Sequence, residues 1–375
     1  MVFDVEWHAC GKHLILVSNP KIEMGLTAAE YKTIRDELQA SERPFFLFHD
    51  DPDGMVSFLL LKRFIDKGRG MMVKAQPNVD ERFLAAVKVA EPDTIFVVDV
   101  AIMQQSFVDT VKKEFGVKNI VWIDHHQPAK LHGVKYFNPM NHAPPKNPPA
   151  SYLCYKTVEE TRKEDFWLAM VGIISDWHMP EFADEFMKEY PHLLPKKMTA
   201  EEALFTTPIG KLGRIFSFML KGPTSEAHAC IRALEKVADP MDILEKRTKE
   251  GKFIYHQFKG INSDYEKLLE AAKKSADKST DKKFLIFTYK GQQSFSGDLA
   301  NELLFLYPDK ILVIGRERSE RYMLSFRARN VPVLPALQKA LVGIDGYGGG
   351  HANASGGSVA KKDFEKFIEQ FKGEF

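Results

Sequence analysis

The chain has 375 residues, 44% of them apolar and 27% charged, which fits two folded domains with a connecting element and excludes a disordered chain. Lys and Arg number 52 against 51 Asp and Glu, so the net charge of +1 argues against a histone-like or tail-driven nucleic-acid binder while leaving room for a local basic groove. Cys10, Cys154 and Cys230 form no CxxC pair, no apolar run approaches a membrane span, and the start of the chain carries no signal-peptide pattern, so a reduced, cytoplasmic protein is expected.

In chain order, His13–Val17 reads as a short strand. A helix follows, opened by the capping box Thr27-x-x-Glu30 and striped by Tyr31, Ile34 and Leu38. From Pro44 the pattern alternates: strand Phe45–Phe48, helix Met55–Ile65, strand Met71–Ala75, helix Arg82–Val89, strand Thr94–Val98, helix Phe107–Phe115, strand Ile120–Ile123. This alternation predicts a mostly parallel sheet with helices on both faces. Pro139 to Pro149 reads as a surface connection. Between about Met179 and Ser279 strand signals vanish. Asp239–Pro240 marks a turn, and Met241–Ala276 reads as one long helical connector. After polar Lys273–Lys283 the α/β pattern returns: strand Phe284–Tyr289, helix Asp298–Leu306, strands Ile311–Ile314 and Tyr322–Arg327, helix Leu334–Leu341, the segment Tyr347–Gly357 and a helix near Phe364–Phe371. The expected fold class is α/β with two α/β domains. The division is an extension at 1–43 packed on the first domain, a first domain at 44–185, a helical connector at 186–280 and a second domain at 281–375.

Chemistry-bearing residues gather at strand ends. Phe45–Phe48 runs into His49-x-Asp51-x-Asp53–Gly54, Thr94–Val98 into Asp99, and Ile120–Ile123 into Asp124–His125–His126; Asp176 follows the apolar stretch Phe166–Ile174. In an open α/β sheet the carboxyl edge is where ligands bind. Each piece alone has a plain reading: a polar turn with an N-capping aspartate (Asp50 is assigned to solvent or capping), a turn-forming Asp99, a polar helix end at Asp176. Against the last stands the helix dipole, which disfavours a negative charge at a helix C-terminus unless something positive compensates. Together, four Asp and at least two His delivered to one edge suit a borderline divalent metal such as Mn²⁺, and one carboxylate can bridge two such ions. A second constellation is Gly348–Gly349–Gly350–His351, where bare backbone N–H groups can meet an anion, with Ser325-x-Arg327 nearby as a phosphate grip. A flexible loop and a surface arginine are the alternatives.

Taken together, the HxDxDG motif at His49–Gly54, Asp99, the Asp124–His125–His126 triplet, Asp176 and the GGGHxxAxG segment at Gly348–Gly356 resemble the DHH phosphoesterase superfamily with its DHHA1 C-terminal domain. The resemblance runs from about Pro44 to Val359. It implies a DHH catalytic domain over 44–185, a DHHA1 substrate-binding domain over 281–375, and a two-metal phosphodiesterase using two Mn²⁺, with Mg²⁺ as the alternative. On that pattern His49, Asp51 and Asp99 hold one ion. Asp53, bridging Asp99, His125 and Asp176 hold the other. His126 contacts the scissile phosphate or assists the leaving group, Asp124 orients a histidine, and Asp53 counts with the catalytic set. Ser325, Arg327, Gly348, Gly349, Gly350 and His351 hold the substrate.

The glycine motif argues against the family II pyrophosphatase branch and for the branch of RecJ-like exonucleases, nanoRNases and cyclic-dinucleotide phosphodiesterases. The chain shows no appended OB-type module, unlike bacterial RecJ, and looks similar to archaeal RecJ-like and Hef-associated single-strand nucleases. The implied function is exonucleolytic hydrolysis of single-stranded DNA or RNA, with DNA repair as the setting. The alternatives are a nanoRNase, a cyclic-dinucleotide phosphodiesterase, or a non-catalytic nucleic-acid-binding relative. In the connector, Lys and Arg residues with Phe253, Tyr255 and Phe258 offer a strand path, or simply a solvated face. A homo-oligomer is compatible with the family.

Overall fold

The computed structural model describes residues 24–74 and 78–375. The expected strand His13–Val17 lies outside them. The helix Ala28–Ala40 is closed at its start by the Thr27/Glu30 capping box and buries Tyr31, Ile34 and Leu38. In chain order the first seven strands are β1 (Pro44–His49), β2 (Arg69–Val73), β3 (Asn78–Val79), β4 (Thr94–Val98), β5 (Ile102–Met103), β6 (Asn119–Ile123) and β7 (Lys135–Phe137). Five of these form an all-parallel sheet in the order β2-β1-β4-β6-β7, and β3 pairs with β5 in a two-stranded strip.

The central strands are apolar on both faces because helices cover both. Phe46, Phe48, Phe96, Val98, Val121 and Ile123 face the helices Pro52–Ile65, Ala150–Val158 and Phe166–Ser175. The alternate residues Phe45, Leu47, Ile95, Val97, Ile120 and Trp122 face Leu84–Ala90 and Gln105–Glu114. The register sets the edge. Phe48 pairs with Val98 and Val98 with Ile123, so His49, Asp99 and Asp124 occupy the next row on three neighbouring strands.

The connector is helical, as the loss of strand signals predicts, but the run from Met241 is two helices, Met241–Leu244 and Lys249–Lys278. Lys246 adopts a left-handed backbone (φ 59°), and Thr248 starts the second helix by accepting the Gly251 N–H at 3.2 Å. The two parts therefore meet at a corner, with Gly251 packed so closely on the first helix that a Cβ there would lie 1.8 Å from the Asp242 carbonyl.

The second sheet holds β8 (Phe284–Lys290), β9 (Ile311–Arg318), β10 (Arg321–Arg327), β11 (Gly346–Gly350) and β12 (Ala354–Ala360) in the order β11-β12-β10-β9-β8, with only the β8–β9 pair parallel. One face packs on Val333–Ala340 and Phe364–Gly373. From the other face, Leu285, Tyr289, Leu312 and Ile314 join the same core as the connector and the first domain. Arg63 adds a polar tie: it pairs with buried Asp165 at 2.5 Å and donates to the carbonyls of Leu234 and Val237 at 2.6 and 2.8 Å.

Candidate functional site

The loop after β1 is shaped by close packing. Asp51, not Asp50, caps the helix Pro52–Ile65, accepting the Gly54 N–H at 2.9 Å, with Pro52 in the first helical position. A Cβ on Gly54 would stand 2.6 Å from the His49 carbonyl, so only glycine lets the helix start this near the strand end. Asp53 turns inward, 2% exposed, onto the start of the helix Ala150–Val158, where it accepts the N–H groups of Ala150 (2.9 Å) and Ser151 (2.8 Å) and the Ser151 hydroxyl. Asp99 leaves β4 with a left-handed backbone, φ 56°, while its N–H donates to the Ile123 carbonyl at 3.0 Å; the kink turns a strand residue into the edge. Asp176 ends the helix Phe166–Ser175 as its C-cap.

These elements bring six side chains to one point. His49 Nδ1 lies 2.8 Å from Asp51 and 3.5 Å from Asp99. His125 Nε2 lies 3.4 Å from Asp99 and 3.9 Å from each of Asp53 and Asp176. Three ligand-capable groups result: His49/Asp51/Asp99, Asp53/His125/Asp176 and Asp99/His125/His126, with Asp99 in two of them. His126 is oriented separately. Its Nδ1 is 2.8 Å from the fully buried Asp124 carboxylate, and its carbonyl accepts from Asn138 at 2.9 Å. Tyr136 also reaches Asp124, at 3.5 Å.

The electrostatics are those of a site crowded with like charge. Burial, then the Asp99 and Asp176 carboxylates, push Asp53 well above the ordinary carboxyl range. Burial likewise raises Asp176, to about 7, against the pull of His125. For Asp99 burial acts upward too, but the adjacent imidazoles of His125 and His49 outweigh it and hold the carboxylate below its ordinary range. Burial lowers His125, and Asp99, Asp53 and Asp176 reverse this and raise it to about 10. His49 Nδ1, Asp99 Oδ2 and His125 Nδ1 are buried without a partner in hydrogen-bonding geometry. Oxygen and imidazole donors packed at this range, with orphaned atoms among them, fit a divalent cation.

The substrate residues expected from sequence lie on the second sheet. Ser325 pairs with Gly356 across β10 and β12. Arg327 is folded inward: Nε donates to Asn301 at 2.7 Å, and Nη1 to the carbonyls of Phe326 (2.9 Å) and Ser355 (3.3 Å). Asn301 lines a cavity of about 130 Å³ whose other walls include Pro52, Ser175 and Trp177, so the Arg327 neighbourhood reaches residues beside Asp51, Asp53 and Asp176. Gly348, Gly349 and Gly350 are not a free loop but a strand, β11, and exposed His351 sits at the hairpin tip, its N–H donating to Ala354 at 2.9 Å. Gly350 (φ 133°) would place a Cβ 2.8 Å from the Ala354 carbonyl.

Of the aromatics named in the connector, Phe258 is buried at 4% exposure against Phe218, and Tyr255 carries Lys246 over its ring at 4.7 Å. Trp177 follows Asp176 directly, and Phe205 packs against it at 5.9 Å. Neither carries a local signal, because they are separated in sequence and meet only in the fold.

Comparison with known proteins points one way. The model of the DHH family N-terminal domain matches residues 45–173, and that of the DHHA1 domain matches 281–375. No curated protein matches the sequence. Among solved structures, an exonuclease RecJ bound to manganese shares 17% identity, with 93% of this chain and 94% of that one covered and a TM-score of 0.63. RecJ from Thermus thermophilus in complex with Mn²⁺ gives 16% identity and a TM-score of 0.65 over 94% of this chain, which spans only 56% of that protein. The DHH domain of a member of the s1p family of ribosomal proteins gives 15% identity and 0.64, covering 92% of this chain and 89% of that one. At these identities the likeness is one of fold.

Proposed function

This chain belongs to the DHH phosphoesterase superfamily, and on that footing we propose that it is a metal-dependent phosphodiesterase that removes nucleotides from the end of single-stranded DNA or RNA. The observation that carries the reading is the convergence of His49, Asp51, Asp53, Asp99, His125 and Asp176 at the carboxyl edge of the sheet, with buried ligand atoms that lack a partner in hydrogen-bonding geometry. RecJ relatives hold Mn²⁺ or Mg²⁺; two Mn²⁺ are the ions we assign here, His49, Asp51 and Asp99 holding one and Asp53, Asp99, His125 and Asp176 the other. Bound there, a pair of divalent cations supplies Lewis-acid stabilisation of phosphoryl charge and makes water a nucleophile near neutral pH.

The chain's own residues set the rest. Asp124 fixes His126 Nδ1 and so leaves Nε2 as the nitrogen for a phosphoryl or leaving oxygen. Burial lowers the His126 pKa, but the hydrogen bond and charge of Asp124 raise it above the usual imidazole value, which favours the ring as a proton donor. Asp53, pinned by Ala150 and Ser151, cannot rotate away from the cluster. From the second sheet, Arg327, Ser325, the backbone of Gly348–Gly350 and His351 supply anion-binding donors for the substrate phosphate. The boundaries we assign are 44–185 for the catalytic domain, 186–280 for the connector and 281–375 for the substrate-binding domain.

The test is a time course with Mn²⁺ or Mg²⁺ and end-labelled single-stranded DNA and RNA, run beside Asp53→Asn. A ladder of shortening strands, absent with the variant, is expected, and the label position gives the polarity. Intact long strands with loss of only di- to tetranucleotides would replace the reading with a nanoRNase, and cleavage confined to cyclic dinucleotides would replace it with that activity.

A further inference from the structure

Trp177, one residue past Asp176, is 40% exposed, whereas Trp122 and Trp167 are buried at 0% and 1%. Its backbone is left-handed, φ 60°, a conformation in which a bulky side chain is strained and which glycine or asparagine adopts readily. The left-handed turn ends the helix Phe166–Ser175, with the His178 N–H donating to the Ile173 carbonyl at 3.2 Å, but an indole is a costly side chain to place at such a turn. Core packing alone does not account for an indole there, because 40% of the residue is exposed.

Two rings from distant elements complete a strip. Phe205, on the helix Ala200–Thr206, meets Trp177 edge to face at 5.9 Å. Phe305, on the helix Ser296–Leu306, stacks on Phe205 at 5.1 Å and 29°. Both are half-buried. The strip runs from Asp176 through the connector to the C-terminal domain, and Trp177 and Phe205 also wall the cavity that Pro52 and Asn301 share. Lys74 and Lys221 act electrostatically on Asp50, whose carboxylate lies 3.8 Å from His49 Nε2, and Lys221 pairs at 2.9 Å with Asp298, a wall of that cavity. A partly exposed aromatic one residue from the proposed metal centre, with lysines acting on the loop beside His49, matches the chemistry of one nucleotide, a ring to stack and a phosphate to neutralise.

We propose that Trp177, supported by Phe205 and Phe305, stacks on the nucleobase next to the scissile phosphate and makes the enzyme require a base there, of any identity, rather than a bare phosphodiester. The inference rests on the nuclease reading above and names the residue that recognises its substrate.

The test pairs a change in the protein with a change in the strand. Wild type, Trp177→Phe and Trp177→Asn, the last chosen because asparagine tolerates the left-handed backbone, are assayed on an end-labelled strand with either a normal or an abasic nucleotide at the position cut first. Trp177→Asn is expected to raise KM for the normal strand about 5- to 100-fold with a smaller change in kcat, and Trp177→Phe to recover most of it. The abasic nucleotide is expected to weaken the wild type similarly and to add little to Trp177→Asn, since each removes one side of the same stack. Binding is read independently, as quenching of tryptophan fluorescence by a dinucleotide without metal, present in the wild type and lost in Trp177→Phe. Independent, multiplying effects, or a wild type indifferent to the missing base, would overturn the stacking role and leave the nuclease reading intact. A wild type that cuts no nucleic acid would remove the nuclease reading and this inference with it. Should Trp177→Asn fail to fold, the wild-type response to the abasic strand decides.

Discussion

The two five-stranded sheets differ in how closely their unpartnered polar groups cluster. At the edge of the first, His49 Nδ1, Asp99 Oδ2 and His125 Nδ1 are buried without a partner in hydrogen-bonding geometry. On the second, Arg327 is bonded to Asn301 and two carbonyls, and Asn353 donates to the carbonyls of Ala328, Arg329 and Val331 at 3.0 to 3.2 Å. A buried polar atom left unpaired costs about 1–3 kcal/mol, so several at one point mark a place that is finished by something from outside. The first sheet gathers three such atoms at one edge, while the second has, among the described residues, a single one, Arg316 Nε on β9, and holds Arg327 and Asn353 with their donors engaged. On our reading, changes in the first should act on kcat and metal response, and changes in the second on KM.

The sharpest way to break that contrast is Asp99→Asn, which removes the carboxylate common to both proposed ion positions. Outer-sphere partners of a metal site are worth about 10- to 100-fold in affinity or activity, so loss of this shared ligand should lower kcat at least ~100-fold; a steady-state assay with rates near wild type would show that the cluster is not the centre. Metal removal tests the same point without turnover. Mn²⁺ at about 100 times its Kd should add about 2.7 kcal/mol of stability, seen as a rise of a few degrees in Tm by differential scanning fluorimetry, reversed by chelation and absent from Asp99→Asn. Asp124→Asn should keep that shift, because Asp124 orients His126 rather than the ions, and should lower kcat about 10- to 100-fold; loss of the thermal shift as well would place Asp124 among the ligands. The smallest effect is expected from Arg327→Lys, which keeps the charge but loses the planar fork: KM should rise about tenfold with kcat nearly constant. A change confined to kcat would contradict the division between the sheets.

Much of the first domain was legible because buried parallel strands are short, apolar and punctuated by polar residues. The runs Phe45–Phe48, Thr94–Val98 and Ile120–Ile123 lie in β1, β4 and β6, and the acids and imidazoles that end them meet in space. The N-capping aspartate expected after β1 is Asp51, and Asp50 takes the partly exposed position, because the choice between adjacent aspartates depends on where Pro52 starts the helix. The break at Lys246 was hidden because helical periodicity runs through it, and only the left-handed residue and the Thr248 cap reveal the corner. Phe258 looked available for stacking because aromatic composition says nothing of which helix face turns inward. The Trp177–Phe205–Phe305 strip was invisible for the converse reason, as its members come from three separate helical regions.

The shared row of His49, Asp99 and Asp124 has a consequence for how the site tolerates change. Parallel neighbours lie about 4.8 Å apart, so the spacing between the groups at the edge is inherited from the main-chain ladder, as marks are from a ruler. Side-chain exchange inside β1, β4 or β6 leaves those marks in place. Removing a single residue within β4 would not, because the alternation of faces would invert and Asp99 would arrive pointing to the other side of the sheet. The centre should therefore be robust to substitution of its supporting strands and brittle to any change in their length.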